Sequence, residues 1–309
     1  MKDHYDQPLS GRTRLATAVV LAAVLALAGG AYIERQDIRD FIWRRRQGSV
    51  PTALTLEQIR SLRKKESPAA ETAPPKPPVM IQKPAAVPAP ETAPATSAPA
   101  APPAENTGPA ADNGPLTADA ARPDAINLLV PMVYQAPLTN WDTTHEDACE
   151  EASMLMAQAF LTGEKTISRK EMDRRILDLI DYEMKALGYF ESTDAATTAA
   201  VMRGHLGLTG IEVLPVRSID DVKAQLAEGR PVLLPADGKA LKNPNFRHGG
   251  PLYHMLVAKG YKPGQIIAND PGTRLGADYI YDEEVLFGAI HDWNGGDPPH
   301  GEKLMIVVK

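Results

Sequence analysis

The sequence predicts an α+β fold for residues 125–309, and three observations support that prediction. Apolar residues recur at helical spacing in several segments before residue 230, and capping residues precede those segments. Short β-rich runs separated by Gly, Pro and Asn follow after residue 230. The stretch is also near the commonest size of a single domain, so it is long enough to bury a core. Helices first and strands afterwards indicate a helical half packed against an antiparallel sheet half.

Four helices are predicted from their periodicity and their ends. In the first, Ala152, Leu155 and Met156 fall on one face. Ser168 and Glu171 form a capping-box pair at the start of the second, and a glycine follows the fourth. In chain order the four helices cover residues 146–161, 168–188, 192–207 and 218–228.

Six β-rich runs are predicted to be strands. The first, residues 126–134, enters a loop ahead of the first helix. The other five are bounded by turn residues and form the predicted sheet half; they cover residues 231–235, 253–260, 265–269, 278–281 and 303–308.

Residues 15–33 are predicted to be a transmembrane signal anchor. This stretch of 19 apolar or small residues is long enough to cross a bilayer as a helix, and a short tail with three basic residues, 1–14, precedes it. A cleaved secretory signal is the competing interpretation, with residues 26–28 as an A-x-A cleavage site. The length of the segment favours a retained anchor.

A basic juxtamembrane segment, residues 34–66, and a disordered Pro/Ala-rich linker, residues 67–124, are predicted to follow the span. Five arginines between residues 35 and 46 favour a cytoplasmic C-terminal side under the positive-inside rule. Against this, the linker holds fifteen of the chain's 28 prolines, so it is expected to act as a semi-stiff spacer. A stiff spacer would allow a domain to reach across the cell envelope. The alternative interpretation is a low-complexity tail without a geometric role. We expect a single-pass protein of the bacterial inner membrane with a periplasmic C-terminal domain.

Charge and cysteine content exclude several classes of function. A formal net charge of -6 argues against general affinity for nucleic acid. Cys149 is the only cysteine, so it forms no internal disulfide, and no CxxC or Cys/His cluster indicates a usual zinc site. His145 lies four residues earlier, but no third soft ligand is evident. No metal and no cofactor are expected, and Cys149 is therefore either buried packing or a nucleophile.

Four residues together supply what a nucleophilic cysteine needs. His254 opens the predicted strand 253–260, which would hold an imidazole base rigidly. Asp270 ends the next strand at a Pro-Gly turn, and a hairpin of that length brings it back beside His254 as the group that orients the ring. Gln135, on the loop before Cys149, is the predicted oxyanion-hole donor, together with the Cys149 backbone N–H.

The charges around Cys149 act in two directions. A position in the first turn of a helix favours the thiolate, whereas the neighbouring Glu150 and Glu151 oppose its ionisation. Activation is therefore expected to come mainly from an imidazolium partner. The loop of residues 291–296 either lines the cleft or is an ordinary connection. The remaining histidines outside the predicted site are interpreted as surface residues or substrate-side contacts; they are His205, His248, His291 and His300.

These motifs resemble the papain-like cysteine peptidases related to the double-glycine leader peptidases that mature bacteriocins, in particular their stand-alone bacterial relatives. The resemblance covers roughly residues 126–309. It rests on Val130-Pro131, Tyr134-Gln135-Ala136-Pro137, Asn140-Trp141, Cys149-Glu150-Glu151-Ala152-Ser153, residues 253–261 and Asn269-Asp270-Pro271-Gly272-Thr273. It implies a papain-like fold with Cys149 as nucleophile, His254 as base, Asp270 as its orienter and Gln135 in the oxyanion hole.

The sequence departs from that family in two ways. Many members have Gly-Pro or Gly-Ala after the cysteine, where this chain has Glu150-Glu151, and the chain contains no phosphate loop of the GxxxxGK[ST] type, so bacteriocin export is not supported. The leading hypothesis is a membrane-tethered thiol hydrolase that cleaves a peptide or amide bond in a peptide or cell-envelope substrate. The alternatives are a catalytically silent module that binds peptide or cell-wall material, and a peptidoglycan amidase or transamidase.

Overall fold

The computed structural model describes residue 38 and residues 40–45, 47–66 and 122–309. The predicted tail, the predicted membrane segment and all but the last three residues of the predicted linker lie outside the described residues. Within the described residues, no helix is both long enough and apolar enough to cross a membrane. By contacts, the described residues before residue 62 form one unit with residues 122–309, and the described residues 62–66 belong to a second unit.

Six α-helices have both ends within the described residues, and those ends follow ordinary capping chemistry. Ser168 Oγ accepts a hydrogen bond from the Glu171 N–H at 3.3 Å, and an Asp194 carboxylate oxygen accepts one from the Thr197 N–H at 2.7 Å. The helices are α1 (Leu56–Glu66), α2 (Cys149–Thr162), α3 (Arg169–Ala186), α4 (Ala195–Gly204), α5 (Ile219–Ala227) and α6 (Glu283–Ala289). Short 3-10 turns stand at His145–Asp147, Arg247–Gly249 and Pro298–His300.

One antiparallel sheet of seven strands forms the other half of the domain. Its order is β2-β7-β3-β4-β5-β6, and β1 pairs with β4. The strands are β1 (Ile126–Asn127), β2 (Ile211–Pro215), β3 (Val232–Asp237), β4 (Tyr253–Lys262), β5 (Gln265–Asn269), β6 (Tyr279–Asp282) and β7 (Leu304–Val308). The long strand β4 is central, and its pairing register places His254 opposite Ala236 of β3.

Helix α2 lies against the sheet and carries much of the core. Most of its residues are buried, and Ser153 Oγ donates a hydrogen bond to the Met255 carbonyl of β4 at 3.3 Å. A helix that is apolar on nearly all sides is stable only when other elements surround it. The first residue of α2 is Cys149, so this packing brings the thiol to the start of β4.

The mixed helical and antiparallel architecture confirms the predicted α+β class, with three differences. Strand β2 was not predicted; it lies between two helices and pairs with the last strand, so helices and strands are not cleanly separated along the chain. Helix α6 was also not predicted, because it spans only seven residues. The first predicted strand, 126–134, is reduced to two residues, β1, before the chain leaves the sheet.

Part of the predicted juxtamembrane segment packs on the domain. Leu54 forms a parallel bridge with Leu128. The Leu54 N–H donates to the Asn127 carbonyl at 2.8 Å, and the Leu129 N–H donates to the Leu54 carbonyl at 2.7 Å. Ile59 of α1 is buried in the core. The sequence placed the start of the domain at residue 125, whereas residues before the linker also contribute to it.

Candidate active site

Cys149 is the first residue of α2 and is buried, with 4% of its surface exposed. Its thiol donates to Glu150 Oε2 at 2.8 Å, and the other oxygen of that carboxylate accepts from the Thr193 N–H at 3.1 Å. The sulfur also lies beside the Met255 N–H of β4. The thiol is therefore held one residue away from His254 along the strand, with its hydrogen directed at a carboxylate.

Burial and charge keep this thiol protonated. Desolvation, followed by the negative charge of Glu150, raises the pKa of Cys149 well above its ordinary value, against the favourable effect of the Met255 N–H. Desolvation also raises the pKa of Glu150 to about 8. The helix N-terminus was expected to favour the thiolate, but burial and the adjacent acid outweigh it.

His254 is buried on β4 and is oriented by Asp270. Its Nε2–H donates to Asp270 Oδ1 at 2.8 Å, and the edge of Phe246 packs on the ring with centroids 5.1 Å apart. A hydrogen bond from Nε2 fixes the tautomer and leaves Nδ1 as the basic nitrogen. The structure thus brings together the predicted base and its predicted orienter.

Asp270 is fully buried and receives four hydrogen bonds. Besides His254, its donors are the Gly272 N–H at 3.0 Å, Asn243 Nδ2 at 3.1 Å and the Tyr281 hydroxyl at 2.5 Å. Burial by itself would raise the pKa of Asp270, but the charge of His254 and these donors hold it below its usual range. The carboxylate is therefore ionised and fixed behind the imidazole.

Two of these supporting residues were missed from the sequence. Asn243 lies on the loop between β3 and β4, and nothing in its local sequence distinguishes it from an ordinary loop residue. Tyr281 lies on β6, which pairs with β5, the strand that ends just before Asp270. A tyrosine on the strand next to a predicted catalytic carboxylate is a usable signal, because the hydroxyl can reach across the sheet.

Gln135 connects the turn before Cys149 to the loop of Asp270. Its backbone N–H donates to the Pro271 carbonyl at 3.2 Å, and its side-chain amide donates to the carbonyls of His145 and Glu146, both at 2.9 Å. Its buried Oε1 receives no hydrogen bond from the residues that the structure describes. The amide predicted to serve the oxyanion is thus engaged with backbone carbonyls in this state.

A cleft of about 1120 Å³ opens beside His254. Gln135, Gly272 and His254 line it, and aromatic side chains stand around them, including Tyr134, Trp141 and Phe246. Gly272 is required by close packing, since a Cβ there would lie 2.9 Å from His254 Cε1. The imidazole therefore faces a space large enough for a peptide segment, whereas Cys149 is not among the lining residues.

A buried pair of acidic residues lies between α2 and α3. Glu151 of α2 and Glu183 of α3 are both fully buried, and none of their four carboxylate oxygens receives a hydrogen bond from a described donor. Desolvation and the nearby charge of Glu183 raise the pKa of Glu151 well above its ordinary value, and desolvation raises the pKa of Glu183. Two carboxyls in this setting can satisfy each other only when at least one is protonated.

The loop of residues 291–296 supports the start of α4. Asp292 is buried and accepts from the Ala195 N–H at 2.9 Å and from the Tyr253 hydroxyl at 3.4 Å. Trp293 packs against the Tyr253 ring with centroids 5.4 Å apart. Burial raises the pKa of Asp292 to about 6. The loop is not among the residues that line the cleft beside His254.

Among the described residues, no other histidine forms a hydrogen bond or an ion pair with His254 or Asp270. His145 is held by Asp142 at 2.7 Å and by Asp173 at 3.1 Å, and not by Cys149. His248 lines the cleft, while His205 stacks on the Tyr182 ring with centroids 4.3 Å apart. Within the described ranges, no three His, Cys, Asp or Glu side chains are grouped as a metal site.

Comparison with known proteins identifies the family. The model of the Peptidase_C39 like family matches residues 128–294, which is more than half of the chain and includes the predicted site residues. The chain belongs to this family, and the resemblance to papain-like, C39-related peptidases is confirmed.

The similarity to solved structures is more distant. The chain is similar to a protein from Bacillus anthracis assigned as a C39-like peptidase, at 15% sequence identity and a TM-score of 0.39, over 60% of this chain and 98% of that one. No curated protein matches the chain.

Proposed function

We propose that the domain is a cysteine-type thiol hydrolase that cleaves a peptide or amide bond through an acyl-enzyme on Cys149. The observation that carries this proposal is the buried His254–Asp270 pair, in which Nε2 donates to Asp270 at 2.8 Å and Nδ1 is left for the thiol. The ring lines a cleft, and the thiol lies beside the next residue of the same strand. Membership of a cysteine peptidase family supports the same chemistry.

The reaction follows from this arrangement. The Cys149 side chain turns from Glu150 toward His254, and Nδ1 takes the thiol proton as the sulfur attacks the substrate carbonyl carbon. The resulting oxyanion is stabilised by the Cys149 backbone N–H at the unpaired start of α2. His254 returns the proton to the leaving amine as the C–N bond breaks. Water, deprotonated by the same imidazole, then attacks the thioester and releases the acid and the thiol.

Glu150 makes the resting state unreactive. A buried thiol that donates to the Glu150 carboxyl group and has a raised pKa is a poor nucleophile. In the proposed function, substrate in the cleft is what draws the side chain from Glu150 to the imidazole. Gln135 joins the oxyanion hole only if its amide also leaves the carbonyls of residues 145 and 146.

Alkylation of Cys149 tests the proposal. The rate with iodoacetamide is measured against pH in the purified chain and in His254→Ala. Without substrate, alkylation is expected to be slow, because the thiol is buried and bound to Glu150. A catalytic pair predicts that this rate falls by a further factor of about ten or more in the variant, because the thiol reacts only when it faces the imidazole. An alkylation rate that does not depend on His254 would remove the enzymatic function.

A second candidate is a catalytically silent module that binds peptide or cell-wall material in the cleft. It is favoured by the Glu150 contact and by the engaged amide of Gln135. The same alkylation experiment separates the two, because a silent module has no need of a thiol coupled to His254. A peptidoglycan amidase or transamidase uses the same three residues and differs from a peptidase in substrate.

We also propose that residues 15–33 tether the protein to the inner membrane and that the domain lies on the periplasmic side. The apolar length of that segment supports the tether. An alkaline phosphatase fusion after Asp124 tests the placement of the domain. Reporter activity is expected, and a silent reporter in a stable fusion would place the domain on the cytoplasmic side.

A further inference from the structure

We propose that residues 40–45 and 47, which precede the part of the chain matched by the family model, form a wall of the substrate cleft, with Ile42 and Trp43 as a subsite for an apolar side chain of a peptide substrate. This proposal rests on the proposed function for the identity of the occupant. We call these residues the clasp segment. It adds to the cleft two binding residues that the family match does not include.

Three contacts anchor the clasp segment to the domain. The Asp40 carboxylate forms an ion pair with Arg274, in which Nη2 lies 2.7 Å from Oδ1. Gln47 Oε1 accepts from the Ile280 N–H of the edge strand β6 at 2.8 Å. Between these two points, the Trp43 ring packs against a tyrosine of β6, Tyr279, with centroids 5.9 Å apart. The segment therefore packs along β6, the strand at one edge of the sheet.

The anchor points are also the supports of the predicted catalytic carboxylate. Arg274 belongs to the turn that begins at Asp270, in which the Asp270 N–H donates to the Gly276 carbonyl at 2.9 Å. Tyr279 packs on Tyr281 with centroids 4.5 Å apart, and the Tyr281 hydroxyl donates to Asp270. The clasp segment thus contacts both structures that hold Asp270 in place.

Side-chain direction separates the cleft-facing residues of the clasp segment from the others. Asp40, Ile42 and Trp43 line the same cleft as His254. Phe41, between them, is not a lining residue and is 62% exposed. Ile42 and Trp43 present apolar surface to a space whose other walls carry Trp141 and similar aromatic groups. An apolar side chain of a bound peptide would remove this surface from water, which is favourable roughly in proportion to its area.

The nearby positions 41 and 43 provide a matched test. Full-length Trp43→Ala and Phe41→Ala each remove one large aromatic side chain from the same segment, but only Trp43 lines the cleft. Cys149 is alkylated in each with iodoacetamide and with benzyloxycarbonyl-Gly-Leu-Phe chloromethyl ketone. The peptidyl reagent is expected to react about tenfold more slowly with Trp43→Ala than with Phe41→Ala, while iodoacetamide, which needs no subsite, reacts equally with both.

Equal rates for the two variants with the peptidyl reagent would overturn the subsite. So would a Trp43→Ala variant that slows both reagents alike, since that result indicates a general disturbance of the site. Circular dichroism verifies that both variants fold.

A binding measurement keeps the subsite separate from the proposed chemistry. The affinity of fluorescein-labelled Gly-Leu-Phe-Gly-Gly for the two variants, each in a Cys149→Ala background, is measured by fluorescence polarisation. Binding about tenfold weaker to Trp43→Ala than to Phe41→Ala supports the subsite. This conclusion holds even if Cys149 is unreactive in every variant, because an unreactive Cys149 would overturn only the proposed hydrolase activity. Equal binding, or no binding to either variant, overturns the subsite.

Discussion

Replacing Glu183 by glutamine tests the buried acidic pair Glu151 and Glu183. Glu151 and Glu183 contact each other in the core between α2 and α3, and as carboxylates neither can donate a hydrogen bond. The amide introduced at position 183 would supply a donor to Glu151 at any pH. We therefore expect the Glu183→Gln variant to be more stable than the natural chain at neutral pH, and the difference to depend on pH.

The direction of the pH dependence of stability follows from the direction of the pKa shifts. Burial raises the folded-state pKa of both carboxyls above the unfolded value, which is about 4.3. Such groups stabilise the fold below the unfolded pKa, and this stability is lost as pH rises through the folded pKa. A retained proton lowers the free energy of unfolding by about 1.4 kcal/mol per pH unit in that window. The Glu183→Gln variant lacks one of the two carboxyl groups that retain a proton in the folded state, so its free energy of unfolding falls less steeply as pH rises.

The expected difference between the two proteins grows by about 1 to 3 kcal/mol between pH 5 and pH 7, in favour of the variant. The charged or acidic groups that act on the pair, Glu150 on α2 and His205 after α4, are unchanged in the variant, so the comparison isolates the substitution at position 183. Urea unfolding at pH 5, 6 and 7 measures the difference.

Glu284→Gln is the control, because it makes the same chemical change on the exposed surface of α6. Its stability relative to the natural chain is expected to stay within about 0.5 kcal/mol over the same range. If the Glu183→Gln difference were also constant with pH, the two buried carboxyls would not share a retained proton and the reasoning would be refuted.

Two further predictions concern the support of His254. In Gly272→Ala the new methyl group collides with the imidazole, so His254-dependent alkylation of Cys149 should fall at least tenfold, whereas Gly288→Ala, in open space, should leave it unchanged. Tyr281→Phe removes a hydrogen bond to ionised Asp270 and should cost about 1.5 to 3 kcal/mol of unfolding free energy at pH 7. Since a carboxylate with a lowered pKa stabilises the fold only while it is ionised, that loss should shrink as pH falls below about 4. A loss that is the same at pH 3 and pH 7 would contradict this.

Local patterns were sufficient to predict most of the fold. The capping pair at Ser168 and the apolar face of α2 located helices that the structure places within a few residues of the predicted ends. The predicted pairing of His254 with Asp270 also followed from local information, because a short hairpin between β4 and β5 fixes how their ends meet.

Contacts between distant parts of the chain could not be predicted in the same way. Strand β2 gains its place only by pairing with β7, and Asn243 reaches Asp270 only because a loop folds over the end of the sheet. Gln135 binds the carbonyls before α2, and the thiol binds Glu150. In both cases the side chain has several possible hydrogen-bond partners. Which partner is bound depends on the packed surroundings, and the spacing of residues in the sequence does not specify these.

The same limit applies to the clasp segment. Its arginine-rich sequence indicates a membrane-proximal stretch, and nothing in its periodicity indicates that Trp43 faces a cleft built by residues more than 90 positions later. Docking on the edge strand β6 depends on the tertiary position of Ile280 and Arg274.

The most direct test of the central claim is cleavage itself. The full-length protein and its Cys149→Ser variant are incubated with a library of peptides from a proteome digest, and new peptide termini are identified by mass spectrometry. If Cys149 is the nucleophile and His254 its base, new termini form only with the natural chain and are absent with Cys149→Ser and with His254→Ala. A library left uncut by the natural chain, or cut equally by Cys149→Ser, would contradict a peptidase whose nucleophile is Cys149.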